Sequence, residues 1–260
     1  MKKRPLALKP ISMPSLSIAI IAHNEEHKLA RALASAAWAE EIILVDCGST
    51  DNTAAAAKEL KVRFFSRPNS TAVYINKQFA IDQAASDWVL VLDADEEIPA
   101  GLREEIKKAI ASRSDAAAFK MPRRNFYFGR WLKHGGQYPD TQLRLFRRGR
   151  ARFVPLPVHE HIEVDGGIAR LSQDLYHYPC ADVEDMERKR VFYREMLAES
   201  YLFKRKNRLL ILLRPFSRFF YNYALKLGFL DGPEGLRTAL MDFRTILSAA
   251  LLYIKKSRGA

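Results

Sequence analysis

The sequence predicts an α/β fold: a mostly parallel central sheet flanked by helices, followed by a helical C-terminal extension. Three observations predict it. Short apolar runs alternate with helix-spaced segments through the first 118 residues. The runs are continuously apolar, as strands buried on both faces require. Those after which polar or acidic residues follow at once place those residues where ligands bind such sheets.

The elements follow in order. Residues 16–22 (LSIAIIA) read as a buried strand ending in His23-Asn24-Glu25-Glu26. Residues 27–39 carry helical spacing at Leu29, Leu33, Ala36 and Ala37. Residues 41–45 (EIILV) form a second strand that ends at Asp46-Cys47-Gly48-Ser49, and Thr50 or Asp51 can cap a helix over 52–60. Residues 62–65 are a third strand, and a helix is expected around 75–85. Residues 88–92 (WVLVL) are a fourth strand ending at Asp93-Ala94-Asp95, and Pro99 opens a helix to about 111. Beyond 118, residues 119–128 alternate like a strand, 129–140 read as loop, and 143–146 and 162–164 are short strands. Residues 182–208 read as a charged helix. Residues 209–225 mix apolar and basic side chains. Asp231-Gly232-Pro233 is a turn. A final helix over 236–254 carries Leu236, Leu240, Phe243, Leu247, Leu251 and Ile254 on one stripe.

The chain has 260 residues, 42 Lys and Arg against 30 Asp and Glu, and a net charge of +12. The charge is uneven: −1 over 1–118, +9 over 119–157, −6 over 158–185 and +10 over 186–260. That pattern points to anionic partners at particular places. Two cysteines exclude a disulfide scaffold and a four-cysteine zinc site. Pro5, Pro10 and Pro14 break the basic start, so no signal peptide is expected. No uncharged apolar stretch reaches about 18 residues, so no spanning helix is expected.

Asp93 and Asp95 carry the sharpest chemical signal. Side chains two apart on an extended chain share a side. Two carboxylates held that close repel unless a cation lies beside them. A hard divalent ion with positions left for phosphate suits them. Asp46 at the end of the second strand can accept from a ribose or a base. Gly48 and Ser49 let a backbone pack closely on a ligand, or form a tight turn and cap. Glu25 and Glu26 also suit a helix start. Neither GxGxxG nor GxxxxGK[ST] is present.

Together these residues resemble the family 2 glycosyltransferases of the GT-A fold. The matching stretches are SIAIIAHNEE, EIILVDCGSTDNT and DWVLVLDADEEI, in that order. The second part resembles the lipopolysaccharide core β-glucosyltransferase branch. It does so at Gly135-Gly136, Pro139-Asp140, Arg144-Leu145-Phe146, Val158-His159-Glu160, His177-Tyr178 and Gly228-Phe229-Leu230-Asp231-Gly232. A cytoplasmic enzyme, peripheral on the inner face of the cell membrane, is expected. The resemblance implies inverting transfer from a nucleoside diphosphate sugar, UDP-glucose as first guess, to an anionic lipid-linked saccharide of the inner core. Donor contacts fall to Ala22, Asn24, Glu25, Asp46, Gly48, Ser49, Asn76, Lys77, Asp93 and Ala94. Asp93 and Asp95 would hold Mg²⁺ or Mn²⁺. Glu160 is the expected base, with Asp140 the runner-up. Asp140, Arg144, His159 and His161 are expected toward acceptor or diphosphate, and His159, His161 or His177 could complete the metal shell. The resulting division is a donor half (1–118), an acceptor half of the same domain (119–185) and an amphipathic helical region (186–260).

Two further classes compete. Arginines beside aromatics in 123–131 suit nucleic acid, but a phosphorylated glycolipid makes the same demand, and no nucleic-acid partner is expected. A related transferase acting on polyprenyl phosphate or protein is the other. The basic, apolar tail predicts membrane contact, and its stripe could instead pack on the domain or mediate oligomerisation.

Overall fold

The computed structural model describes residues 13–58, 62–70, 72–112, 114–154, 161–180, 182–204 and 206–257. Four parallel strands form one side of a seven-stranded sheet: β1 (Leu16–Ala22), β2 (Glu41–Asp46), β3 (Arg63–Ser66) and β4 (Trp88–Asp93). Their order is β4-β1-β2-β3. The helices between them are α1 (Glu26–Ala36), α2 (Thr53–Lys58) and α3 (Val73–Asp82).

Alternation along the strands explains why these runs are continuously apolar. Leu16, Ile18 and Ile20 of β1 and Trp88, Leu90 and Leu92 of β4 face one layer, where Leu29 and Leu33 of α1 pack. That layer also holds Leu102 and Ile106 of α4 (Ala100–Ala111). Ala19, Val89 and Val91 face the other layer, with Ala80 and Ile81 of α3. Most side chains of the central strands are therefore buried, whichever way they point.

The second half is not a single strand where 119–128 alternates. It divides at Pro122 into β6 (Ala116–Met121) and β7 (Arg123–Tyr127), which join different sheets. Proline has no N–H to donate, so a strand breaks there at little cost. β9 (Gln142–Arg147) inserts antiparallel between β4 and β6, and β12 (Gly167–Arg170) closes the edge. A four-stranded sheet runs β5 (Glu96–Glu97), β13 (Leu175–Cys180), β7, β8 (Arg130–Trp131). β10 (Ala151–Val154) and β11 (His161–Val164) form a hairpin-like pair. The short β5, β8, β10, β12 and β13 lack the apolar runs that betray buried strands.

The C-terminal region is three helices. α5 (Val183–Phe203) is capped by Asp182, whose side chain accepts the Asp185 N–H at 2.8 Å. α6 (Arg208–Phe220) starts afresh because Asn207 caps it, accepting from Leu209 and Leu210 N–H. A π turn and a 3₁₀ turn (Gly228–Asp231) lead into α7 (Gly232–Lys256). No described helix is long and apolar enough to cross a membrane.

α7 packs only partly through its large stripe: Phe243, Leu247 and Ile254 are half-buried, and Phe243 meets the rings of Phe216 and Phe219. Its buried residues are mostly small: Gly235, Thr238, Ala239, Ala249 and Ala250, with Tyr253. Leu236, Leu240 and Leu251 stay exposed. Small residues let the helix approach its neighbours closely, and a Cβ on Gly235 would overlap the Gly228 carbonyl oxygen. Gly235→Ala is accordingly expected to cost about 1–3 kcal/mol, as overpacking does. Thermal denaturation checks this against Gly167→Ala, where nothing lies within 4 Å of the new Cβ.

Candidate active site

The carboxyl ends of β1, β2 and β4 meet on one rim of the sheet. The first two loops are stitched together by their own polar side chains. The Asn24 N–H donates to Ser49 Oγ (2.9 Å) and the Thr50 N–H to Asn24 Oδ1 (2.8 Å). The Glu25 N–H reaches Thr53 Oγ1, and Asp51 accepts from the N–H groups of Glu26 and Thr53. Gly48 has φ +67°, a conformation that costs glycine nothing. Asp46 is buried, and its carboxylate receives the Ser49 N–H at 3.3 and 3.4 Å.

β4 ends in Asp93-Ala94-Asp95, and cations from three elements converge on its two carboxylates. Lys77 Nζ of α3 lies 3.0 Å from Asp93 Oδ1, and Arg144 of β9 pairs with Asp93 Oδ2. Antiparallel pairing of Leu90 with Leu145 places Arg144 one residue nearer the end of β4. Arg144 also binds the buried Glu96 at 2.8 Å, and Arg123 joins Glu96 (2.7 Å) to Asp140 (2.6 Å). Asp95 has different partners. Lys189 Nζ of α5 lies 2.9 Å from Oδ2, and His177 Nε2 of β13 lies 3.5 Å from Oδ1. Lys189 also approaches Glu25 (3.6 Å), while Lys28 ties Glu25 (3.0 Å) to Asp185 (2.7 Å).

The His177 tautomer follows from its neighbour. Asn125 Nδ2 donates to Gln137 O (2.9 Å) and Asp140 (3.2 Å), so Asn125 Oδ1 must accept the 2.6 Å bond from His177 Nδ1. His177 Nδ1 therefore carries hydrogen, and Nε2 faces Asp95. A ring whose far nitrogen donates to a fixed carbonyl is the arrangement metal-binding histidines use.

Burial works to raise both aspartates, but the groups beside them outweigh it. Arg144 and Lys77 hold Asp93 below the ordinary carboxylate range, and His177 and Lys189 hold Asp95 there. Both are ionised at neutral pH. Burial raises Glu25, only partly offset by Lys189. Burial would lower Lys189, but Asp95 and Glu25 push it up, so it stays charged. Asp140 is lowered because Arg123 overcomes its burial. Burial raises the Cys47 thiol, which keeps it protonated.

The structure thus gathers Ala22, Asn24, Glu25, Asp46, Gly48 and Ser49 at the ends of β1 and β2, with Lys77, Asp93, Ala94 and Asp95 at the end of β4. Asn76 is buried and committed to structure: it donates to Cys47 Sγ (3.2 Å) and Pro68 O (3.1 Å) and accepts from Arg67. Asp140 and Arg144 belong to the Asp93 cluster. His161 is exposed on β11. His159 and Glu160 lie outside the described residues. Lys189, Lys28, Glu96, Arg123 and Asn125 were not predicted. Their sequence neighbourhoods are charged stretches in which no one residue stands out.

Among the described residues no cluster of three or more His, Cys, Asp or Glu side chains could by itself hold a metal ion. The donor set nonetheless fits a hard cation: Asp95 offers carboxylate oxygen and His177 offers Nε2. Mg²⁺-type sites commonly use one or two carboxylates and take their other ligands from substrate phosphates.

The Glycosyl transferase family 2 model matches residues 17–171. The chain is 33% identical over 172 residues to the lipopolysaccharide core biosynthesis glycosyltransferase LpsC of Rhizobium meliloti, covering 63% of each chain. It is 31% identical over 194 residues to an uncharacterized glycosyltransferase of Rickettsia typhi, covering 70% of this chain and 66% of that one. The chain thus spans a little under two thirds of the length of these relatives. Among solved structures, it resembles the mannosyltransferase PcManGT of Pyrobaculum calidifontis, in complex with GDP-Man and Mn²⁺ (TM-score 0.52, 15% identity, 97% and 90% covered). It also resembles residues 1–349 of TarS from S. aureus, in complex with UDP-GlcNAc (TM-score 0.50, 17% identity, 93% and 92% covered). These likenesses show a GT-A-like fold. With a family match across more than half its length, covering the strand-end carboxylates, the chain belongs to glycosyl transferase family 2.

Proposed function

We propose that the protein transfers a hexose from a nucleoside diphosphate sugar to an anionic, lipid-linked saccharide of the lipopolysaccharide inner core, inverting the anomeric carbon. UDP-glucose is the first donor to test. The observation that carries this is Asp95 on the rim shared by β1, β2 and β4. It is ionised, faces His177, and is countered by a lysine from a separate helix. The relationship to LpsC supports the acceptor class, and the +9 charge over 119–157 suits a phosphorylated one.

Asp46, with Ala22, Asn24, Gly48 and Ser49, would receive the nucleoside. Lys77 and Arg144 fix Asp93 rigidly, while Lys189 is the partner that can leave Asp95. Asp95 and His177 would hold Mg²⁺ or Mn²⁺. That ion, when bound, stabilises charge on the departing diphosphate. The acceptor hydroxyl oxygen bonds to the anomeric carbon as the diphosphate leaves, and a carboxylate takes the hydroxyl proton. Glu160 is the proposed base. Asp140 suits the task less, because Arg123 lowers its proton affinity.

Incubating the purified protein with nucleoside diphosphate sugars, Mn²⁺ or Mg²⁺, and either core glycolipid or polyprenyl phosphate tests this. Transfer to core glycolipid is expected, with inverted configuration by NMR and loss on Glu160→Gln. No transfer from any donor overturns the reading.

A further inference from the structure

We propose that the outward face of α6 and α7 lies in the plane of an anionic phospholipid bilayer, apolar side chains in the acyl boundary and basic ones on headgroup phosphates. This deepens the lipid-acceptor reading by naming the surface that meets the membrane.

The starting observation is an inverted helix. α6 buries Ile211 and Pro215, Ile211 within the small cluster of Ala198, Tyr201, Ala249, Ala250 and Tyr253. Leu209, Leu213, Phe216 and Phe220, spaced four, three and four apart, form a single stripe on its outside. They are 65%, 54%, 59% and 60% exposed. A surface helix ordinarily puts such a stripe inward. The stripe also continues beyond α6. The Phe216 ring meets Phe243 of α7 at 5.1 Å, joining it to the large-residue face that α7 leaves outside. The turn between the helices adds Leu225, Phe229 and Leu230, all exposed. Most of the exposed large apolar side chains among the described residues lie between 203 and 251. Contiguous apolar surface of that kind marks an interaction site.

Charge identifies the occupant. Residues 186–260 carry +10, and Arg214, Arg218, Lys226, Arg237 and Arg244 are exposed on or beside these helices. A second copy docked through this face would bring two such positive surfaces together. An anionic bilayer matches both halves of the pattern, since in-plane helices combine an apolar face with lysine and arginine flanks. No described helix is long and apolar enough to cross a bilayer.

The test is co-sedimentation of the full chain with phosphatidylcholine vesicles, with and without phosphatidylglycerol. The vesicles contain neither donor nor acceptor. The wild type is expected to bind the anionic vesicles, less so as salt rises. Leu209→Glu with Leu213→Glu should weaken binding by about tenfold or more, leaving circular dichroism and donor binding unchanged. Arg214→Glu with Arg218→Glu should abolish the preference for phosphatidylglycerol. Failure of the wild type to bind, or equal binding by the variants, overturns the proposal. So does lipid-free, concentration-dependent dimerisation that Leu209→Glu with Leu213→Glu disrupts, which would assign the face to a second copy. Vesicle binding without sugar transfer would sink the enzymatic reading alone. Transfer to a delipidated soluble acceptor without vesicle binding would sink this one alone.

Discussion

Asp95→Asn is expected to lower kcat/KM for sugar transfer by about a thousandfold while the protein stays folded. Asparagine keeps the shape of the side chain and can still accept from Lys189. It loses the negative charge that would hold a divalent ion against the diphosphate. Such an ion is worth several kcal/mol of charge stabilisation, and about 4 kcal/mol corresponds to three decades in rate. Asp95, rather than Asp93, should show this effect at little cost in stability, because their partners differ. Asp93 is clamped by Lys77 and Arg144, whose side chains are 7% and 6% exposed. Asp95 is itself 13% exposed, but its partner Lys189 is 24% exposed and keeps Glu25 at 3.6 Å when the Asp95 charge is removed. Steady-state kinetics with circular dichroism checks the prediction. Wild-type kcat/KM in the variant would remove Asp95 from the chemistry.

Arg144→Met should instead act on folding. Arg144 lies in the interior between two carboxylates, Asp93 and Glu96. Removing one partner of a buried ion pair leaves uncompensated charge and costs about 3–5 kcal/mol. For a chain of this size that corresponds to roughly a 10 °C fall in Tm. The loss should shrink in acid. Burial would raise Asp93, and Arg144 and Lys77 together depress it. A depressed carboxylate stabilises the fold above its unfolded value of about 4 and loses that contribution as pH falls toward its folded value. In Arg144→Met much of that contribution is already gone, so wild type and variant converge at low pH. Equal Tm values at neutral pH would mean that Lys77 and Arg123 suffice for the cluster.

The proposed donor side of the site was legible because its signals are local. LSIAIIA, EIILV and WVLVL are buried on both faces, so their composition alone marks them as central strands. The polar residues after β1, β2 and β4 then fall on one rim. On the proposed acceptor side the resemblance named Asp140, Arg144 and His177, but not their partners. His177 reaches Asp95 because β13 pairs with β5 and β7, strands without an apolar run to mark them. Lys189 is one of several cations in a charged helix, and only the path of α5 across the rim selects it. On α7 the stripe was visible, but the deepest contacts are made by the glycine and alanines beside it. Small residues give a weak periodic signal, although they are what let helices approach closely.

Calorimetric titration of UDP-glucose, UDP-GlcNAc and GDP-mannose into the wild type and Asp95→Asn, each with Mn²⁺ and with EDTA, tests the central claim most directly. A nucleoside diphosphate sugar is predicted to bind the wild type only with Mn²⁺ and to lose that binding in Asp95→Asn. Absence of binding by all three, or binding indifferent to both Mn²⁺ and Asp95, would contradict the assignment of the strand-end carboxylates.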